Sequence, residues 1–207
     1  MDSYVAHSSV VKAFSASDNL IFSGGGREAL NCWRIERSHQ EADFESRHPR
    51  LILCASCSSF KAEQDSRIMS LASSVVKSKF DEALVYAACS DGILRVCHFL
   101  GPNQFRPTPT VISPDFGCLL AVRAIDIDSE SFLVLAAGTT GRIGVWRLDV
   151  LDLSTGNLRA TSVLNIPVHQ SGVNCMEILG FSAFKSGLWP LLAVLDWANL
   201  ASTQTTC

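Results

Sequence analysis

The sequence of 207 residues is poor in charge and has no excess of basic residues. Lys and Arg number 17 against 20 Asp and Glu, which gives a formal net charge of -3, and charged residues are only 18% of the chain. Proteins that bind nucleic acid by neutralising phosphates carry a basic excess. Strong autonomous RNA binding is therefore disfavoured.

Long apolar runs are also missing. The nearest, Leu191 to Leu195 after Pro190, is much shorter than the roughly 20 residues that a membrane-spanning helix needs. The N-terminus, Met1 to Tyr4, has no basic segment followed by an apolar one, as a secretory signal would have. We therefore expect no membrane span, no secretion and a cytoplasmic location.

The 8 cysteines would suit a disulfide framework in a short secreted chain, but this sequence has no signal for secretion. Six of them lie inside apolar runs: Cys32, Cys54, Cys89, Cys97, Cys118 and Cys175. Cysteine is among the most buried residue types when it is not in a disulfide. We expect reduced thiols in the core.

The sequence repeats itself, which is the first property to test because repeats decide the whole fold. The pattern apolar, any, small, apolar begins at Val11, Ile68, Val122 and Val173, at similar intervals. Each of the first three starts is followed by an apolar run, a turn rich in small residues and an alternating strand pattern. The turns contain the glycine and aspartate that tight hairpins need.

These elements recur in the same order and at the same internal spacing. The apolar runs are Leu20 to Phe22, Leu84 to Tyr86 and Leu133 to Leu135. The turns are Gly24 to Arg27, Ala88 to Gly92 and Ala137 to Gly141. The alternating strands are Leu30 to Ile35, Leu94 to Phe99 and Ile143 to Leu148, and a fourth strand per unit is predicted at Leu51 to Cys54, Thr110 to Ile112 and Ser162 to Leu164. Four short strands per unit, repeated in this way, predict an all-β fold built as a β-propeller.

The propeller is predicted to be incomplete. We assign approximate blade units to residues 5–60, 61–115 and 116–167, the start of a fourth unit to 168–178, and an atypical, non-repeat tail to 179–207. Phe181 to Cys207 shows no glycine turn, and Pro190 interrupts its apolar run. One interpretation is a truncated gene product; the other is a short helix that caps the open edge, since terminal repeats are often atypical. Three blades leave edges that only other blades could cover, so the chain is expected to be marginal, aggregation-prone or dependent on association.

Motifs for cofactors and metals are present only in weak form. Gly24 to Ala29 fits G-x-G-x-x-A, but a dinucleotide-binding turn must open a helix, and the repeat places a strand at Leu30 to Ile35. Cys54 to Cys57 is a lone C-x-x-C without a second pair, which favours buried thiols over zinc. We expect no cofactor and no metal site.

No catalytic constellation is apparent either. Cys97 and His98 are adjacent, so their side chains would point to opposite faces of a strand. Asp126 and Asp128 would share one face of a strand, where a solvated surface explains them more simply than a bound cation. The linker from Glu36 to Pro49 alternates in charge and includes His39 and His48, as exposed loops do. We expect no catalytic residue and a protein that is not an enzyme.

The repeat units resemble WD repeats. Tryptophans stand at the expected strand position, although arginine follows each of them in place of aspartate, and two histidines precede a unit start by four residues. The residues that match the repeat signature are His7, Trp33, Asp91, Gly92, Gly141, Trp146 and His169. In WD repeats the histidine and aspartate form a hydrogen-bonded network with a strand hydroxyl and the tryptophan. No unit here holds the whole set, so the resemblance implies blades that depend more on packing.

A narrower resemblance concerns four stretches, namely Phe22 to Gly26, Arg67 to Leu71, Ala87 to Gly92 and His169 to Asn174. They are similar to the C-terminal propeller of the WD-repeat auxiliary subunits of tRNA 2′-O-ribose methyltransferases that act at the wobble nucleotide. The resemblance covers roughly residues 5–178. It implies a non-catalytic subunit that binds a tRNA ribose methyltransferase and helps to present the anticodon loop, while the partner binds S-adenosylmethionine.

Three alternatives stay open at this point. The chain could be a general WD-repeat scaffold in another complex, because a fold does not decide a function. It could be a non-functional truncated product, or a hydrolase or zinc enzyme, which would require bound zinc or turnover. The partner-binding surface is unknown from the sequence; if tRNA is touched directly, the linker from Glu36 to Pro49 is the first place to look, because loops carry function more often than the blades beneath them.

Overall fold

The computed structural model describes residues 7, 10–26, 30–36, 49–57, 66–76, 82–102, 104–184 and 187–195, with the backbone alone for 179–184 and 187–195. All regular secondary structure in these ranges is β-strand. The strands are β1 (Val11–Ser17), β2 (Leu20–Gly25), β3 (Leu30–Glu36), β4 (Arg50–Cys57), β5 (Ile68–Val75), β6 (Ala83–Cys89), β7 (Leu94–Phe99), β8 (Phe105–Ile112), β9 (Leu119–Asp126), β10 (Ser131–Gly138), β11 (Arg142–Asp152), β12 (Asn157–Pro167), β13 (Cys175–Phe184) and β14 (Gly187–Leu195).

These strands form three four-stranded antiparallel sheets and one two-stranded sheet. The sheet orders are β1-β2-β3-β4, β5-β6-β7-β8, β9-β10-β11-β12 and β13-β14. We call the first three the first, second and third blade, and the last the terminal hairpin. The chain is an incomplete β-propeller, and the predicted fold class is confirmed.

Each blade contains the four strands that the repeat predicts, in the predicted order. The apolar runs form β2, β6 and β10, the alternating segments form β3, β7 and β11, and the additional short segments lie in β4, β8 and β12. The hairpin turns of the second and third blades contain Gly92 and Gly141 with positive φ, at 82° and 72°. Glycine adopts this conformation without the steric cost that other residues incur.

The start of the third unit lies three residues earlier than the sequence pattern suggests. Gly25 pairs with Val11 in the first blade, and the corresponding Gly138 pairs with Leu119 in the third. The start predicted at Val122 is therefore wrong. The physical reason is that Leu119 to Val122 satisfies the same apolar, any, small, apolar pattern, so the pattern alone does not fix the register.

The blades are held together by packing of one sheet face against the next. The inner strands β1, β5, β9 and β13 are successive neighbours across the blades. Between the first two blades, the Phe22 ring lies edge-on to Phe99 and Phe105, with centroids 5.8 and 6.3 Å apart. Tyr86 and Trp146 belong to the core between the second and third blades. Burial of such side chains is the dominant favourable term in folding.

A third core lies between the third blade and the terminal hairpin. Leu135, Ile143 and Val145 of the third blade are buried there with Met176 of β13. The hairpin therefore occupies the position of a fourth blade, although it has two strands where the complete blades have four.

One interpretation of the tail is a short helix that caps the open edge. For residues 187–195 this interpretation is wrong. These residues form β14, which pairs with β13 over its whole length, and Pro190 lies opposite Phe181. β14 pairs only with β13 in its sheet. Proline is tolerated in an edge strand because its missing N–H is not needed there. The boundary proposed at residue 179 stays a prediction, and residues 196–207 lie outside the described ranges.

Replacement of Phe22 by alanine tests the packing between the first two blades. Phe22 is fully buried, so we expect the free energy of unfolding to fall by about 3–5 kcal/mol, through lost burial and a cavity. Urea denaturation of the purified chain would measure it. The matched control is Phe14→Ala, at a residue that is 67% exposed, with an expected change within about 0.5 kcal/mol. Equal effects of the two substitutions would contradict the assignment of the core.

Candidate functional site

Three side chains of the predicted network meet in the first blade. The Trp33 indole N–H donates to Ser23 Oγ at 2.8 Å, and the same oxygen lies 3.0 Å from His7 Nε2. Because Ser23 Oγ accepts from Trp33, its own proton is available to donate to His7. The histidine, strand hydroxyl and tryptophan of a WD-type network are thus present together. Arg27, which takes the place of the aspartate in the sequence, lies outside the described residues.

An asparagine extends this network across the blade. Asn31 Nδ2 lies 3.4 Å from His7 Nε2, and Asn31 Oδ1 accepts a hydrogen bond from Ser56 Oγ at 2.7 Å. Ser23 and Asn31 are buried, and buried polar groups are stable only with partners. Neither Ser23 nor Asn31 is predicted from the sequence. The available signal was a serine at the end of the apolar run, ten residues before Trp33.

Asp91 has a different partner in the second blade. Arg95 donates to both of its carboxylate oxygens, at 3.0 and 2.7 Å, and the Ile93 amide donates to Oδ1 at 3.2 Å. Partial burial opposes the ionisation of Asp91, but the hydrogen bonds from Arg95 and Ile93 outweigh it, and the pKa of Asp91 lies below its usual value. The hydrogen bond to Asp91 raises the pKa of Arg95. A salt bridge within the blade thus replaces the histidine-centred network.

Two further residues of the repeat signature, Gly141 and His169, are in contact. The backbone N–H of His169 donates to the Gly141 carbonyl at 3.1 Å. A Cβ on Gly141 would lie 2.1 Å from the His169 carbonyl oxygen, so only glycine fits. This contact joins the hairpin turn of the third blade to the segment that leads into β13. Trp146 packs between the second and third blades, its ring centroid 6.0 Å from that of Phe116.

The cysteines that the structure describes are thiols, five of them buried. Cys57 and Cys97 meet between the first and second blades, with their sulfur atoms 3.7 Å apart. The contact with Cys57 and burial both raise the pKa of Cys97. A thiol with a raised pKa is a poor nucleophile and a poor metal ligand, since both roles require the thiolate. Cys54 and Cys57 lie in the same core, as expected for buried strand thiols.

The two remaining candidate pairs from the sequence are Cys97 with His98 and Asp126 with Asp128. Cys97 faces the first blade, whereas His98 points to the other side of its strand, where its Nε2 lies 2.9 Å from Glu82 Oε2. Asp126 ends β9, but Asp128 lies in the following turn, where it accepts from the Glu130 amide. The expectation that both aspartates share a strand face is therefore wrong, because the strand ends between them.

The dinucleotide-binding turn is excluded by the segment that follows it. Residues 30–36 form β3, so no helix N-terminus faces the glycines. Residues 27–29, like the linker residues 37–48 with His39 and His48, lie outside the described ranges. Within the part of the chain that the structure describes, no three or more His, Cys, Asp or Glu side chains are grouped so that they could hold a metal ion. No helix in that part has the length and apolar character of a membrane span.

One end of the stack collects the hairpin turns between the second and third strands of the blades. We call this end the turn rim and define it by residues 24–26, 90–92 and 139–141 of these turns, together with residues 170–172 of the segment that leads into β13. In the second and third blades the hairpin turn is hydrogen-bonded to the segment that leads into the inner strand of the same blade: Ser90 N donates to Arg67 O, and Thr139 N donates to Cys118 O. Thr139 and Thr140 are exposed on this rim, whereas the Asp91 side chain is 17% exposed beside Arg95. The rim thus presents the exposed hydroxyls of the third blade.

One face of the first blade has exposed apolar side chains beside the buried Trp33, Ser23 and Asn31, which share that face. We call it the open face and define it by Phe14, Ile21, Ile35, Leu51 and Leu53, one or two residues from each strand. Their register places them on the side opposite Phe22 and the second blade. Phe14 is 67% and Leu53 is 50% exposed. Exposed apolar patches on a folded domain mark sites of association.

Substitution of Ser23 by alanine tests the network in the first blade. Loss of the hydroxyl removes the oxygen that joins Trp33 to His7, so we expect a loss of about 1–3 kcal/mol in the free energy of unfolding. Chemical denaturation followed by tryptophan fluorescence would measure it. Ser154→Ala is the control, because its hydroxyl donates to Asp152 in an exposed turn of the third blade, outside this network, and its expected cost is about 0.5–1 kcal/mol. A Ser23→Ala variant no less stable than this control would refute the network.

The pH dependence of stability tests the Asp91–Arg95 pair. The folded-state pKa of Asp91 lies below its unfolded value of about 3.9. Its ionised form therefore contributes stability above about pH 4, which is lost as the pH falls through the folded-state pKa. We expect the stability difference between the natural chain and Asp91→Asn to narrow on acidification in a urea titration at several pH values. The stability difference between the natural chain and Arg95→Gln should narrow in the same way. A stability difference that does not change with pH would contradict an ion pair between Asp91 and Arg95.

Comparison with known proteins supports the fold alone. No protein family model matches the chain, and no curated protein matches it. The crystal structure of Saccharomyces cerevisiae Sqt1 is similar, with a TM-score of 0.52 and 15% identity over 84% of this chain and 39% of that chain. The chain thus spans about 39% of the length of that structure. The computationally designed protein Ika4 has a TM-score of 0.46 and 19% identity, over 91% of this chain and 95% of that chain. The designed protein Ika8 has a TM-score of 0.33 and 18% identity, over 89% of this chain and 72% of that chain. The likeness to Sqt1 is one of fold alone and agrees with an incomplete β-propeller.

Proposed function

We propose that the chain is a non-catalytic, cytoplasmic WD-repeat scaffold that supports 2′-O-ribose methylation of the tRNA wobble nucleotide by binding a methyltransferase. The partner carries out the chemistry and binds S-adenosylmethionine. The scaffold holds the enzyme and helps to present the anticodon loop, with tRNA contacted indirectly or through the linker from Glu36 to Pro49.

The observation that carries the proposal is the position of the four stretches that resemble the methyltransferase subunits. Arg67 to Leu71 and His169 to Asn174 lead into inner strands, while Phe22 to Gly26 and Ala87 to Gly92 end strands and enter hairpin turns. Inner strands begin, and these hairpins turn, at the same end of the blades. All four stretches therefore lie at or beside the turn rim. Loops at the end of a rigid scaffold are where binding residues concentrate.

The chemistry of the described residues supports a binding role over catalysis. The histidine and tryptophan of the first blade hydrogen-bond to Ser23, and Asp91 is held by Arg95. These polar side chains stabilise blades, whereas a catalytic group must be positioned to reach a substrate. The exposed Thr139 and Thr140 of the rim are suited to hydrogen bonding with a protein surface.

Deletion of the gene, followed by mass spectrometry of tRNA, tests the proposed process. We expect ribose methylation at the wobble nucleotide to be lost and to return on complementation. Methylation that is unchanged by the deletion would refute this function, whatever the chain binds.

A pull-down from native extract tests the partner and its surface. We expect the natural chain to recover a tRNA ribose methyltransferase, and Thr140→Arg on the rim to weaken recovery by about tenfold or more through steric and charge mismatch. The control is Val163→Arg, at an exposed residue of the outer strand β12, with recovery unchanged. Equal loss in both variants would exclude the rim as the binding surface.

A general WD-repeat scaffold in another complex is the second candidate. It is favoured by the similarity to Sqt1, which is a similarity of fold at low identity and so leaves the function open. Recovery of unrelated proteins in the pull-down would support it. A version of the chain extended by a complete fourth blade tests the further alternative of a non-functional truncated product. If only the extended chain recovers the methyltransferase, the natural chain is such a product.

A further inference from the structure

The outer strand of the first blade carries a run of exposed apolar side chains at the edge of its sheet. β4 pairs with β3 and is an edge strand of the described sheet. An edge strand presents backbone N–H and C=O groups that have no partner within its own sheet. Leu51, Ile52 and Leu53 of β4 are 36%, 41% and 50% exposed. Among the residues that the structure describes, this is the only place where three consecutive large apolar side chains are exposed.

This apolar run is exposed on both faces of the sheet. The register with β3 places Leu53 opposite Trp33, on the face that lies away from the second blade. Ile52 points to the other face, because side chains alternate along a strand, and it stays exposed although the second blade packs on that face. The edge of the sheet is lateral to the stack of blades. A blade that packs on a face therefore does not pair with this edge.

The other two outer strands have features that oppose pairing with a further strand. β8 contains the exposed Pro107 and Pro109, which have no N–H to donate. β12 has a bulge at Val163, in the middle of its exposed part, and bulges disrupt the regular ladder at an edge. The bulge of β4 lies at Cys54, beyond the apolar run, so Leu51 to Leu53 keeps a regular strand backbone. Among the described outer strands, β4 is thus the one best suited to accept a partner strand.

The sequence of this run suits pairing with a second copy of itself. An antiparallel partner runs in the opposite direction, and Leu-Ile-Leu reads the same in both directions. With Ile52 opposite Ile52 of a second copy, Leu51 lies opposite Leu53 of that copy, so each of these cross-strand pairs is apolar. Arg50 then lies opposite Cys54, and the arginines of the two copies stay at opposite ends of the ladder. No like charges face each other, and no charge enters the centre of the contact.

We infer that β4 of one copy pairs antiparallel with β4 of a second copy about a two-fold axis that passes beside Ile52. The two first blades, each of four strands, then form one continuous sheet. Both copies use the same surface, so the contact is isologous and closes as a dimer. It gives partners to the edge N–H and C=O groups and reduces the exposure of the apolar run.

Cysteine cross-linking of the full chain tests the register of this contact. Directly opposite residues in antiparallel strands have Cα atoms about 4.5–5.5 Å apart, a distance that a disulfide spans. We expect Ile52→Cys to form a covalent dimer when glutathione disulfide oxidises the two thiols, and a reductant to reverse it. The natural chain and Val111→Cys, at an exposed position of β8, are the controls and should stay monomeric on a non-reducing gel.

Two further variants determine the direction of the strands. Leu51→Cys and Leu53→Cys should cross-link to each other when the two chains are mixed, because the proposed register places these positions opposite each other. Either variant alone should give much less dimer, since two copies of the same position are then separated by two residues along the ladder. Equal yields from Leu51→Cys alone and from the mixture would overturn this register.

Sedimentation velocity of the reduced chain over a wide range of concentration tests the association itself. We expect a reversible monomer–dimer equilibrium, which Ile52→Lys weakens by about tenfold or more, because two like charges would face each other across the axis. Val111→Lys is the matched control and should dimerise normally, and circular dichroism checks that both variants are folded. A folded natural chain that stays monomeric, or dimerisation that Ile52→Lys leaves unchanged, would overturn the inference. The tRNA methylation and pull-down results do not depend on this outcome.

Discussion

Face-to-face packing of successive sheets is the interaction on which the whole structure depends. Hydrogen bonds along the strands hold each blade together, but a single meander of short strands exposes two apolar faces. Phe22 against Phe99, Tyr86 near Trp146, and Leu135 near Met176 mark the three successive cores in which these faces are buried. Stability in such a stack is a sum of repeat and neighbour contributions. Among the sheets that the structure describes, the second blade packs against two others and the first blade against one.

The polar signature of the repeat is secondary to this packing, and each blade satisfies it differently. The first uses His7, Ser23 and Trp33, and the second uses the Asp91–Arg95 ion pair. The third joins Gly141 to the backbone of His169. In all three, polar or backbone groups near the hairpin turn have partners, which is what burial requires. The identity of the partner varies while the apolar faces stay alike.

Much of this fold could be predicted from the sequence, because the same pattern occurs three times and each copy supports the interpretation of the other two. Three hairpins with equal spacing predict twelve strands far more firmly than any single apolar run would, and the positions of Gly92 and Gly141 follow from the same pattern. The register of β9 was predicted wrongly because two overlapping segments fit one pattern. The strand at Gly187–Leu195 was missed because Pro190 argues against a strand unless that strand is known to lie at an edge.

The surfaces were beyond prediction for a physical reason. Phe14, Leu71 and Val122 are all apolar residues of inner strands, and only the neighbouring blade decides which of them is exposed. The pairing of Asp91 with Arg95 could not be predicted either. The histidine of the repeat pattern is absent from that unit, and the spacing of the repeat does not indicate which residue takes its place as the partner of Asp91. The turn rim becomes visible only once the strand order places three separate turns at one end of the stack.

Native-state amide hydrogen exchange of the dilute chain, resolved by blade, tests the account most directly. If burial of sheet faces sets local stability, the second blade exchanges most slowly, the first blade more quickly, and the terminal hairpin most quickly of all. Exchange of the first blade as slow as that of the second, in a chain shown to be monomeric, would contradict the claim that packing between blades holds the structure together.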